Sequence, residues 1–148
     1  MITNLAQVKA AHRRFLEGHR RATHDELDRA GDEAHRHVES NAKFKDRSGK
    51  LRRSTNHSVR IGRNKSRLRL KWSPRYAGFI EYGTRAHVIR PRRKKFLRFR
   101  VGGRVVFARK VNHPGTRPYK FGWKASRAAH RVFGQRMRRR MTQLAKRF

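Results

Sequence analysis

One carboxylate and two imidazoles, Glu81, His87 and His113, flank a single stretch of this chain and could converge as a general base or as ligands of a divalent cation. That chemistry would be phosphodiester cleavage, and the surroundings argue against it. A divalent cation wants more than one carboxylate, and Glu81 is the only acid from residue 47 to the end. Each imidazole stands instead among turn residues, in Gly83-Thr84-Arg85-Ala86-His87 and in His113-Pro114-Gly115-Thr116, where a ring nitrogen can bond to backbone and fix a loop. Gly83, Thr84, His87, His113, Pro114 and Gly115 are therefore expected to be scaffold residues holding two loops together, with Glu81 paired to an arginine nearby. Other histidines offer no better site. His35 and His37 point to different sides of a helix, and His12 and His19 lack a carboxylate set. There is no Ser-His-Asp order, no glycine-rich phosphate loop and no cysteine, so the chain is expected not to be an enzyme and to hold no metal or cofactor.

The second chemistry is cationic. The formal net charge is +33, and it is unevenly distributed. Eight acids (Glu17, Asp25, Glu26, Asp28, Asp32, Glu33, Glu39 and Asp46) nearly balance nine Lys and Arg in residues 1–46, whereas residues 47–148 set 33 Lys and Arg against Glu81 alone, about +32. A field of that size repels itself and calls for a polyanion, of which nucleic acid is the foremost. Arg90, Arg92, Arg93, Lys94 and Lys95 gather around Pro91 as a projecting loop, and Arg98 and Arg100 alternate along the strand that follows. These seven are the best candidates to face DNA, by phosphate contact without base reading. Arg136, Arg138, Arg139 and Arg140 form a second choice.

The elements that would position these residues follow from periodicity. Residues 3–42 space Leu5, Val8, Ala11, Phe15, Leu27, Ala30, Ala34, Val38 and Ala42 at helical intervals, and Gly18 with a possible capping box at Thr23-x-x-Glu26 allows one kinked helix or two. That near-neutral segment is expected to mediate contacts between subunits. Thr55–Ile61 and Arg67–Trp72 alternate as two strands around a turn at 62–66. Ser73, Pro74 and Gly83 bracket a short helix at 74–82, and residues 95–101 and 104–111 form a hairpin about Gly102-Gly103. From Pro118 the chain is helical to its end, with Ala125, Ala129, Val132, Phe133, Met137, Met141, Leu144 and Phe148 as its apolar stripe. The fold class is therefore α+β, a single domain over 1–148: a helical segment at 1–45, a mainly antiparallel sheet of about four or five strands with central loops at 46–117, and a long helix at 118–148. No apolar run approaches the ~20 residues of a membrane span, and the polar start lacks a signal-peptide core, so a soluble protein made in a cytoplasm is expected.

The segments FKDRSGKLRRST (44–55), FIEYGTRAHVIRP (79–91) and FLRFRVGGRVVFARKVNHPGTRP (96–118) resemble the tail-completion and neck proteins of long-tailed bacteriophages, the small structural proteins at or near the head-tail junction. The similarity covers roughly residues 20–148, although residues 47–148 are far more basic than it requires. It implies a virion protein of the neck or tail, made in the host cytoplasm and present as a homo-oligomeric ring, with a hexamer favoured. The partners so implied are other phage neck and tail proteins and packaged double-stranded DNA, with no membrane. The alternative is a non-viral basic nucleic-acid-binding protein, ribosome-associated or chromatin-like.

Overall fold

The computed structural model describes residues 4–46 and 48–146. The elements run α1 (Leu5–Asn41), α2 (Lys50–Arg53), β1 (Thr55–Ile61), β2 (Ser66–Trp72), α3 (Ala77–Tyr82), β3 (His87–Ile89), β4 (Leu97–Val101), β5 (Arg104–Ala108), β6 (Val111–His113) and α4 (Phe121–Ala145). The class is α+β, with antiparallel pairing throughout the described strands. The strands form three two-stranded ladders, β1–β2, β3–β6 and β4–β5, in place of the one sheet expected from the alternation. β1–β2 and β4–β5 are each closed by a short turn, and β3–β6 brackets the second hairpin, so every pairing is made within its own stretch of chain.

Two compact units result, one built from the chain up to Ala77 together with Phe121 onward, the other from Gly78–Lys120. Among the described residues, the first holds all the buried apolar side chains. Asn4 opens α1 by accepting the Ala6 amide on its side chain at 3.0 Å. The helix then runs without a break to Asn41, through Gly18 and through the expected capping box. Thr23 Oγ1 donates to the His19 carbonyl inside the helix at 2.8 Å, and Glu26 is drawn elsewhere. Its carboxylate belongs to a residue only 3% exposed, takes Arg29 Nη1 at 3.0 Å and lies 3.1 Å from Arg136 Nε of α4, an ion-pair distance without hydrogen-bond alignment. A capping side chain that is bound to another helix cannot cap.

Helices α1 and α4 lie antiparallel, because Gly18 meets Leu144, Glu26 meets Arg136, and Phe44 just past α1 stacks edge-on against Phe121 at 5.0 Å. Alanines make the seam: Ala22, Ala30 and Ala34 from one side, Ala125, Ala128 and Ala129 from the other, all buried. Small side chains let the two backbones approach closely. Trp72 of β2 closes one end with its ring 5.2 Å from Phe121 and its Nε1–H donating to Thr55 Oγ1 at 3.0 Å. On β1 the His57 ring lies on Gly31, leaving no space for a Cβ there, while its Nε2 meets Asp28 at 2.9 Å. Arg52 of α2 donates to the carbonyls of Val38, Glu39, Ala42 and Phe44, and so caps the C-terminal end of α1 with one guanidinium.

In the unit Gly78–Lys120 no residue is buried. Its order comes from backbone. Residues 102 and 103 both take positive φ, +55° and +84°, as the two-residue turn between β4 and β5 demands. The expected helix at 74–82 begins only at Ala77, because Pro74–Tyr76 form a turn closed by the Ala77 amide on the Pro74 carbonyl at 2.9 Å.

Candidate nucleic-acid interface

Two Gly-Thr dipeptides, 32 residues apart in the chain, come together as a clasp. Thr84 and Thr116 exchange reciprocal backbone hydrogen bonds, both 3.0 Å, and their hydroxyls meet at 3.2 Å. Each preceding glycine lies against the opposite segment: a Cβ on Gly83 (φ +74°) would collide with the Thr116 carbonyl, and one on Gly115 (φ +91°) with the Thr84 carbonyl. Only glycine combines that backbone angle with that approach. Three residues along, β3 and β6 pair His87 with His113, rings 5.0 Å apart and tilted 31°.

Each imidazole is held by its own loop. His87 Nδ1 donates to the Arg85 carbonyl at 2.8 Å, and the Gly115 amide donates to His113 Nδ1 at 3.0 Å. Neutral His87 is thereby the Nδ1–H form and neutral His113 the Nε2–H form. Glu81 is half-buried, and its carbonyl accepts the Lys120 amide at 3.2 Å. Pro114 is exposed and stiffens the turn between His113 and Gly115. The structure thus brings the expected scaffold residues together as a backbone clasp. Among the described residues, no group of three or more His, Asp or Glu is arranged to hold a metal ion.

The clasp is the base from which the cations project. Arg90, Arg92, Arg93, Lys94 and Lys95 are all exposed in the bend between β3 and β4, with Pro91 half-buried at its root. Arg98 and Arg100 are exposed on β4, alternating with half-buried Leu97 and Phe99. Within this unit thirteen Lys and Arg stand against Glu81, a net +12. The alternative set on α4 is less free, since Arg136 is held at Glu26, although Arg138, Arg139 and Arg140 are exposed.

Two features escaped sequence reasoning. The ladder β3–β6 is three residues long on each side, too short for an alternation to register, and the paired Gly-Thr dipeptides were the signal that could have found it. Exposed aromatics in the same unit, Phe79, Tyr82, Phe96 and Phe107 at 63%, 81%, 45% and 64%, were the other. No helix of the described residues is long and apolar enough to cross a membrane. No protein-family profile, curated protein or solved structure matches the chain.

Proposed function

We propose that this chain is a structural protein of the neck or tail of a long-tailed phage, assembled as a homo-oligomeric ring that contacts the passing duplex through phosphates without reading sequence. The observation that carries the reading is the run of five exposed cations at 90–95, mounted on a clasp whose glycines admit no side chain. A fixed base with a projecting cationic edge gives electrostatic attraction without register, so the duplex is held and still slides. Support for the phage setting is the resemblance of residues 44–55, 79–91 and 96–118 to tail-completion and neck proteins. Copies related by symmetry would superimpose their fields in a shared channel, which gives the charge a purpose that solubility alone does not need.

The test is the salt dependence of duplex affinity. The logarithm of affinity is expected to fall steeply and linearly with the logarithm of salt concentration, with a slope of about −0.9 for each phosphate neutralised and no preference among sequences. Replacing Arg90, Arg92, Arg93, Lys94 and Lys95 by glutamine flattens that slope in proportion to the number of phosphates no longer neutralised. An affinity insensitive to salt, or a slope unchanged in the glutamine variant, rules the loop out as the DNA contact. A basic factor acting outside a virion would bind with the same salt dependence but remain monomeric or dimeric, so the mass of the assembled species separates the two readings.

A further inference from the structure

The hairpin of β4 and β5 has two unlike faces. On one, Leu97 pairs with Ala108 and Phe99 with Val106, four half-buried apolar residues. On the other, Arg98 lies opposite Phe107 and Arg100 opposite Val105, and one rung beyond the ladder the Arg109 guanidinium stands 5.8 Å over the Phe96 ring. Every rung of this second face therefore joins one cation to one apolar side chain. Both rings are open to solvent, Phe107 at 64% and Phe96 at 45%.

Phosphate contact does not explain exposed phenyl rings. A duplex presents base edges in its grooves and keeps the faces of its bases stacked inside, so a ring on a duplex-binding surface gains a stacking partner only where a base step is pried open. Unpaired bases present those faces, and stacking on an aromatic side chain is tolerant of sequence. Spacing agrees. Phe96 and Phe107 are diagonal neighbours across an antiparallel ladder, a separation of about 7–8 Å. That is roughly twice the ~3.4 Å rise of a duplex strand, and it suits two bases splayed apart instead of stacked on each other. A second copy of the same face is a poor occupant, because it would bring Arg98, Arg100 and Arg109 against their own like.

We propose that this face binds unpaired bases of single-stranded nucleic acid, with Phe96 and Phe107 each stacking on one base and Arg98, Arg100 and Arg109 holding the phosphates between them. The inference rests on the nucleic-acid reading above and assigns the hairpin face a ligand different from that of the 90–95 loop. An apolar, acidic protein surface is the competing occupant.

The experiment measures fluorescence anisotropy of a labelled oligothymidylate and of a duplex of equal length with the full chain, across a salt series. Phe107→Ala and Phe96→Ala are each expected to weaken single-strand binding about 5- to 150-fold. Both leave the salt slope and the duplex affinity as in the parent, and Phe107→Tyr restores single-strand binding. Arg98→Gln with Arg100→Gln flattens the single-strand slope by about 0.7 for each phosphate no longer neutralised. The inference is overturned if Phe107→Ala weakens single strand and duplex alike, or neither. It is overturned equally if that variant leaves single-strand binding intact and changes the oligomeric mass, which assigns the face to a protein. In those cases a loop-dependent salt slope for duplex still upholds the proposed function. If the parent chain binds neither nucleic acid in a salt-dependent way, the proposed function fails and takes this inference with it.

Discussion

At the scale of single residues, the positions that matter most are those where an atom more or less is not tolerated. Gly115 is one, since its φ of +91° and the backbone carbonyl of Thr84 leave a Cβ nowhere to go. Gly115→Ala is expected to cost at least about 2 kcal/mol in the unit 78–120, from backbone strain before the collision is added. The readout is hydrogen exchange at the Thr84 and Thr116 amides, which bond each other's carbonyls at 3.0 Å; unchanged protection there would mean the clasp is not what orders the loops. Arg52 is the second such position. Lysine keeps its charge but cannot fork across four carbonyls, so Arg52→Lys is expected to destabilise by about 2 kcal/mol in denaturant unfolding, and a change under about 0.5 kcal/mol would show that water caps α1 equally well. The role of Arg52 was not legible in the sequence, because a lone arginine in a basic run carries no sign of which carbonyls it will find.

At the scale of elements, α1 divides into two lengths with different fates. From Ala22 to Val38 its apolar side is buried in the core of its unit, whereas Leu5, Val8 and Leu16 are 67%, 48% and 46% exposed. The described end of α4 reaches only as far back as Gly18, where Leu144 packs. Over the roughly three turns from Leu5 to Leu16, α1 therefore shows more of its apolar side chains to solvent, with Phe15 between them half-buried. The expectation that residues 3–42 mediate subunit contacts narrows to this overhang, since removing the whole segment would dismantle the core before it tested any interface. Replacing Leu5, Val8 and Leu16 together by serine is expected to change unfolding stability by no more than about 0.5 kcal/mol per site while lowering the oligomer to monomer in sedimentation. An oligomer that survives the triple change removes α1 from the contact. Long elements were legible for a plain reason: strict alternation in β1 and β2 and helical spacing in α1 and α4 repeat often enough to register. What was not legible is how elements associate. The grouping of strands into three ladders, and the loss of Glu26 from a cap to Arg136, are settled by partners far along the chain.

At the scale of the whole molecule, the two units differ in what holds them. Among the described residues, one buries eleven apolar side chains and carries the long helices; the other, Gly78–Lys120, buries none and presents a net +12. A unit without a buried core is stabilised in proportion to what binds it, by mass action on the folded form. On the proposed function, its cations and exposed aromatics, which are costs to the free protein, would become contacts in an assembled particle around nucleic acid. An image reconstruction of the purified chain assembled on duplex DNA would decide this. The expected result is a closed ring with the duplex through its centre and residues 90–95 of every copy within reach of phosphates. A monomer or dimer lying on the duplex would contradict the ring, and a ring whose 90–95 loops face away from the bore would show that the charge serves another purpose.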